Sequence, residues 1–289
     1  MKQSEFEINS STQKYAVVGH LIGHTASPSI FNSAFRELRI NAIYLALDVH
    51  PAKLKEAFRG FETLGFKGLN ITTPYKKKII PFLNKLDKNS KKIGAVNTIS
   101  FESENSIGYN TDTIGFIAPI KKIGIEIKKI KTVILGLGGA ALACINALNE
   151  EGCQKITVLN RSKRKMPELR EMVRNKEDLE IKELNYSNLA ASLISTNLLV
   201  NATPVGMSPQ IDESIVPKKL LRDDMVVYDL VYRPVKSKLI TDADKVGATT
   251  IPGYHMLLEQ ASKAFEIWTR NKAPKKVMLK ALKKNLGVI

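Results

Sequence analysis

Residues 132–147, TVILGLGGAALACINA, constrain the fold more than any other stretch of the chain. Val133, Ile134 and Leu135 form a short aliphatic run that stops at Gly136, and from Ala140 small and apolar residues take over in a pattern suited to a buried helix. The reading is a strand, a tight glycine turn and a helix start. Gly136 and Gly138 give the turn backbone angles closed to other residues, and let a pyrophosphate approach main-chain N–H groups at the positive end of the helix. Ala141 takes the third small position of G-x-G-x-x-G/A, where helix and strand must pack closely.

One helix later a second apolar strand, Ile156 to Leu159, ends at the place where a dinucleotide site reads the ribose. An NAD site would set Asp or Glu there to hold the 2′-hydroxyl. This chain has Asn160, Arg161 and Ser162, then Lys163, Arg164 and Lys165, so cations replace the carboxylate and a 2′-phosphate is the expected partner. NADP is favoured over NAD; the plainer reading is a solvated basic face opening a helix near Glu168.

A chain of 289 residues has room for one or two domains with a sizeable core. Hydrophobic content of 44% and charged content of 25% are those of a soluble globular protein, with no apolar run near the ~20 residues of a membrane span. The polar N-terminus lacks a signal-peptide core, so a cytoplasmic protein is expected. Cys144 and Cys153 imply neither a disulfide framework nor a metal cluster, and no metal is expected. The net charge of +16 raises nucleic acid as a partner, but no aromatic-rich stacking platform accompanies it. Much of the excess is dispersed lysine; Lys275, Lys276, Lys280, Lys283 and Lys284 flank an apolar stripe of Val277, Met278, Ala281 and Leu282 and read as the wet face of a helix.

In chain order, Tyr15 to Val18 is a strand ending at Gly19, and Pro28 opens a helix with Ile30, Phe31, Ala34, Phe35 and Leu38 as its apolar positions. Thr25 and Ser27 offer two hydroxyls on the loop between them; one could cap the helix, and capping alone does not account for both. A strand over Ile43 to Val49, a helix over Pro51 to Leu64 and a third strand over Gly68 to Thr72 follow. This alternation implies a mostly parallel sheet, whose ligands gather beyond the carboxyl ends of its strands, where Asn70, Thr72 and Lys76 lie. Lys76 also opens a lysine run that could be merely solvated. Gly94 to Ile99 reads as a strand in which the amide of Asn97 needs partners. A hairpin through Glu102 to Ser106 returns the chain to Asn110, Thr111 and Asp112; Asp112 either caps the next helix or takes part in catalysis.

Beyond the basic loop, strands are expected at Leu198 to Asn201, Val226 to Val231 and Thr249 to Ile251, with the loop Thr203 to Met207 as a wall for a bound cofactor. Met256, Leu257, Gln260, Ala261, Ala264, Phe265 and Trp268 then mark a long amphipathic helix with Gln260 as its odd polar residue.

The ordered motifs HTASP, NITTPYK, GAVNT, GYNTD, GLGGA, NRS, NATPVGM, DLVY and GYHMLLEQA cover nearly the whole chain, and the sequence thereby resembles the shikimate dehydrogenase family. The resemblance implies an α/β protein of two domains. An N-terminal, mostly parallel substrate domain over residues 1–113 is completed by C-terminal helices at 252–289, and a Rossmann-like NADP domain spans 114–251. It implies reversible NADPH-dependent reduction of 3-dehydroshikimate to shikimate, in the biosynthesis of chorismate and the aromatic amino acids. Lys76 and Asp112 match the family's catalytic pair. Thr25, Ser27, Thr72, Asn97, Tyr232 and Gln260 match its substrate contacts. Gly136, Leu137, Gly138, Gly139 and Ala140 would take the pyrophosphate; Asn160, Arg161, Ser162 and Lys165 would take the 2′-phosphate. Thr203, Met207, Leu230 and Gly253 would lie along the nicotinamide.

The chain departs from the family pattern at three positions: Thr25 stands where serine is common, Lys165 where arginine is frequent, and Lys88 where an acidic residue often faces the cofactor. The related alternative is a quinate/shikimate dehydrogenase with broader substrate or NAD use; Arg161 and Lys165 argue against an NAD preference. The expected partner is a small-molecule substrate, with no nucleic acid and no membrane, in a monomer or homodimer.

Overall fold

A computed structural model describes residues 7–23, 25–102, 105–162 and 178–289. The chain forms two compact units, one of Met1–Thr111 with Gln260–Ile289 and the other of Asp112–Glu259.

In the first unit β1 (Gln13–Gly19) is flanked by β2 (Ala42–Asp48) and β3 (Phe66–Ile71), both parallel to it. β5 (Thr98–Glu102) and β6 (Asn105–Tyr109) form the expected hairpin, β5 runs antiparallel to β3, and the two-residue β4 (Lys85–Leu86) pairs parallel with β6. The strand order is β2-β1-β3-β5-β6-β4. Five successive residues of β1 are buried, as a strand covered on both faces requires. α1 (Ser27–Glu37) starts at Pro28 and buries Ile30, Phe31, Ala34 and Phe35, whereas Leu38 falls just past its end and is exposed. The helix expected over 51–64 divides into a short 3₁₀ turn at Pro51–Lys53 and α2 (Leu54–Thr63).

The strand expected over Gly94 to Ile99 begins late. Gly94 closes α3 (Lys88–Ile93) in the left-handed conformation with φ 65°, and the Val96 N–H bonds to the Lys76 carbonyl at 2.8 Å instead of a sheet neighbour. Regular pairing in β5 therefore starts at Thr98. Lys88 is the exposed first residue of α3, beside Asp87, whose side chain caps the helix by accepting from the Ser90 N–H at 2.8 Å.

The second unit contains α4 (Asp112–Lys122), β7 (Lys131–Leu135), α5 (Gly139–Glu150), β8 (Lys155–Asn160), β9 (Leu179–Glu183), α6 (Tyr186–Leu193), β10 (Leu198–Asn201), β11 (Val226–Asp229), α7 (Lys238–Lys245) and β12 (Thr249–Pro252). Its strands are all parallel, in the order β12-β11-β10-β7-β8-β9. Counted from β7 this is the 3-2-1-4-5-6 order of a dinucleotide-binding sheet. The chain leaves β7 on one side and returns to β10 on the other, so the strand order reverses between these two strands.

α8 (Tyr254–Thr269) and α9 (Lys275–Asn285) end the chain. Met278 and Leu282 of α9 are fully buried, and α9 packs on α1. Trp268 of α8 lies among Tyr15, Phe31 and Tyr44 and donates its indole N–H to the Ile99 carbonyl at 2.9 Å. Gly68 leaves the room for this ring: a Cβ there would sit 2.3 Å from the indole nitrogen.

Candidate functional site

At the switch point of the second unit, β7 ends at Leu135 and the chain turns at Gly136, with φ +96°. A side chain there would be strained and crowded, its Cβ 2.9 Å from Thr203 Cγ2 and 3.1 Å from the Ala202 carbonyl oxygen. The glycine thus lets the turn after β7 press against the turn after β10. Gly138 is different. Its φ of −88° is open to other residues, and among the described residues nothing beyond its chain neighbours lies within 4 Å of where its Cβ would be. Gly136 therefore carries the backbone requirement, while Gly138 leaves open space at the N-terminus of α5. Gly139 and Ala140 begin the helix, Leu137 is buried, and Ala141 packs fully buried behind the turn.

At the end of β8, Asn160 donates its amide to the Ser162 carbonyl at 2.7 Å, which folds the chain back and leaves Arg161 and Ser162 exposed. Lys165, with the rest of the basic run after Ser162, lies outside the described residues. On the β10 side, Thr203 donates its hydroxyl to Asn201 Oδ1 at 2.7 Å, and Met207 is exposed. Leu230 follows β11, and Gly253 follows β12 so closely that its Cβ would stand 2.5 Å from the Leu230 carbonyl oxygen. Burial pushes the Tyr232 phenol above its ordinary range, with the neighbouring Arg233 cation acting the other way. Asp112, the first residue of α4, is buried.

In the first unit the candidate polar groups fall into three sets. Thr25 and Ser27 meet on the loop before α1: the Thr25 hydroxyl donates to Ser27 Oγ at 3.3 Å and accepts from the Ser27 N–H at 3.3 Å. The residue capping α1 is Ala26, which has no side chain to do so, and the second hydroxyl is not consumed as a cap.

Thr72 and Lys76 share the turn after β3. The Thr72 N–H bonds to the Val18 carbonyl, and the Thr72 carbonyl accepts from the Tyr75 N–H at 2.8 Å. Tyr75, fully buried, donates its hydroxyl to the Val49 carbonyl, so the residue before Lys76 is anchored in the core.

The third set is a buried chain of amides and hydroxyls. Tyr44 donates to Asn70 Oδ1 at 2.6 Å, and Asn70 Nδ2 donates to the Asn97 carbonyl at 3.2 Å and to Thr98 Oγ1 at 3.1 Å. Asn97 Oδ1 accepts from the Thr111 N–H at 2.8 Å and the Thr98 hydroxyl at 3.1 Å, and its Nδ2 donates to Thr111 Oγ1 at 2.9 Å and Gln260 Oε1 at 3.4 Å. Asn97 thus does join Gln260, 163 positions away. Such a network is worth keeping intact, because orphaning one buried member costs about 1–3 kcal/mol. Burial pushes the Tyr44 phenol well above its ordinary range, with the Ser27 hydroxyl acting against that shift.

Sequence reasoning missed Tyr44, the buried roles of Asn70 and Thr111, and the cluster of Asn201, Asp229 and Ser237. Their signal was weak: single polar residues, unremarkable until partners as near as 8 and as far as 149 positions away are known.

Comparison with known proteins supplies matches along both units. Residues 17–99 match the model of the shikimate dehydrogenase substrate binding domain, residues 119–241 that of shikimate / quinate 5-dehydrogenase, and residues 253–283 that of the shikimate 5′-dehydrogenase C-terminal domain. A shikimate dehydrogenase (NADP(+)) of Methanobrevibacter smithii is 41% identical over 283 residues, covering 97% of this chain and 100% of that protein. A shikimate dehydrogenase solved in complex with NADP+ superposes with a TM-score of 0.90 at 38% identity, over 97% of this chain and 98% of that one. The shikimate 5-dehydrogenase of Listeria monocytogenes, solved with shikimate and NAD, gives 0.88 at 30% identity, over 96% and 98%.

Proposed function

The chain belongs to the shikimate dehydrogenase family, and from that premise we propose how its residues carry out the reversible NADPH-dependent reduction of 3-dehydroshikimate to shikimate. It is an oxidoreductase acting on a CH–OH group with NADP as its cofactor. The first compact unit supplies most of the substrate contacts and the second takes NADP, contributing Asp112 and Tyr232 to the substrate.

When bound, the cofactor would supply the hydride as NADPH and accept one as NADP+ in the reverse direction. The residues present suit it: the space at Gly138 leaves room for a pyrophosphate at the N–H groups that begin α5, and Arg161 offers charge to a 2′-phosphate within a stretch, residues 160–165, whose sequence holds no Asp or Glu. Asn160, Ser162 and Lys165 complete that end of the site. Thr203, Met207, Leu230 and Gly253 line the nicotinamide.

As the ketone of 3-dehydroshikimate is reduced, its oxygen gains negative charge and must take a proton. Lys76 stabilises that charge and delivers the proton, and Asp112 orients the ammonium and the new hydroxyl. Thr25 and Ser27 receive the substrate carboxylate, while Thr72, Asn97, Tyr232 and Gln260 hold ring hydroxyls. The observation that supports this reading best is the turn NITTPYK, where Tyr75 fixes the backbone in the core and Val96 fixes the Lys76 carbonyl beside Asn97. The protein is expected to act in the cytoplasm as a monomer or homodimer.

The test is NADP+ reduction with shikimate by the wild type and Lys76→Ala, with NAD+ and quinate as parallel arms. Rapid NADP+-dependent oxidation of shikimate, little turnover of quinate, and a loss of roughly a hundredfold or more in kcat for the variant are expected. Undiminished turnover by Lys76→Ala would remove the lysine from the mechanism. A preference for NAD+ or quinate would move the chain to the broader activity.

A further inference from the structure

One buried carboxylate of the second unit has no part in the chemistry above. Asp229, the last residue of β11, is fully buried, with Asn201 at the end of β10 and Ser237 before α7 nearly or fully so. Its Oδ1 accepts from Asn201 Nδ2 at 2.9 Å and the Val231 N–H at 3.0 Å, and its Oδ2 accepts from the Ser237 hydroxyl. Ser237 Oγ in turn accepts from the Ile240 N–H at 3.3 Å and caps α7.

A carboxylate can only accept, so it dictates which way the Asn201 amide faces. The nitrogen must point to Asp229, where it also reaches the Val205 carbonyl at 3.1 Å. The oxygen must then point to Thr203, taking its N–H at 3.1 Å and its hydroxyl at 2.7 Å. Thr203 is the residue that abuts the Gly136 turn. On its other side the same carboxylate holds Val231, between Leu230 and Tyr232. One buried charge therefore sets both loops that the proposed function gives to the nicotinamide.

We propose that Asp229 is a positioning residue for the nicotinamide half of the cofactor site, acting through the Asn201 amide on Thr203–Met207 and through the Val231 N–H on Leu230–Tyr232. The inference rests on the assignment of those loops to NADP. A purely structural carboxylate would hold the whole unit together without favouring one half of the ligand; a positioning one spares the adenosine half, which lies along β7 and β8.

The experiment compares wild type, Asp229→Ala and Asp229→Asn. Three readouts are taken: turnover of shikimate, calorimetric binding of 2′,5′-ADP, which lacks the nicotinamide, and the emission of NADPH on binding. In Asp229→Ala, kcat should fall roughly tenfold or more, since small misplacements of reacting groups cost that much. The NADPH emission change should shrink, and 2′,5′-ADP should bind with wild-type affinity. Asp229→Asn keeps an oxygen toward Asn201 and Val231 and should restore most of the turnover. Asn201→Ala removes the intermediary without touching the charge; it should reproduce the loss and serves if Asp229→Ala does not fold. Wild-type kcat and emission in Asp229→Ala or Asn201→Ala would overturn the proposal, as would parallel loss of 2′,5′-ADP binding. If the wild type binds 2′,5′-ADP and NADPH yet leaves shikimate untouched, the functional reading fails and the emission readout still decides the role of Asp229.

Discussion

Replacing Asp229 by asparagine should make the variant gain in stability on the wild type as pH rises. Burial pushes the Asp229 carboxyl from 3.8 up to about 6, and the hydrogen bonds from Ser237, Val231 and Asn201 pull it down without cancelling that effect. With the folded value above the unfolded one, the unfolded chain binds fewer protons between the two. Stability therefore falls as pH rises from about 3.8, and the full cost is present above about 6. At about 1.4 kcal/mol per pH unit the whole cost is about 3 kcal/mol, of which roughly half accrues between about pH 5 and about pH 8. Asparagine keeps the volume and one acceptor oxygen while abolishing the titration. Urea unfolding of the two proteins across that window, with all other titrating groups shared, should show their stability difference moving toward the variant by about 1.5 kcal/mol. A difference that stays flat with pH, or moves toward the wild type, would refute the linkage.

Gly136→Ala places a side chain at φ +96° against Thr203 and Ala202, for an expected loss of about 1–3 kcal/mol in folding or cofactor binding. Calorimetry with NADP+ and thermal melts both unchanged from wild type would contradict the geometry. Gly68→Ala drives a methyl group into the Trp268 indole, and because Trp268 is the chain's one tryptophan, its fluorescence should move to longer wavelength as the ring is displaced. An unaltered emission spectrum would show that the ring is not seated against β3. Cys144 and Cys153 are buried, and burial pushes the Cys153 thiol above its ordinary value, so a thiol reagent should label either residue only as the chain unfolds; prompt labelling of the native protein would refute that.

The strand-turn-helix at Thr132 to Ala147 was legible because its requirements are local. A short aliphatic run, a glycine with positive φ and small helix residues leave few other structures open, and β7, Gly136 and α5 follow. The same holds for α1, whose proline start and apolar spacing need no distant partner to be read. Where the reading of Gly94 to Ile99 strayed, the deciding contact was remote: the Val96 N–H finds the Lys76 carbonyl, and apolar composition alone could not show that pairing had not yet begun. β9 and α6 went unread for a related reason, since a half-buried edge strand such as LEIKE has a weak alternation signal.

The sequence by itself determined the sheet-and-helix alternation, the cofactor turn, the family and the residue types of the site. The tertiary structure alone decided what the polar residues bond to. Asn97 meeting Thr111 and Gln260, Tyr44 meeting Asn70, and Asp229 aligning Asn201 are long-range pairings. Backbone propensity acts over a few residues, whereas a buried amide or carboxylate must satisfy its hydrogen bonds with whatever the completed fold brings beside it, and that neighbour is fixed only when the strands have taken their order.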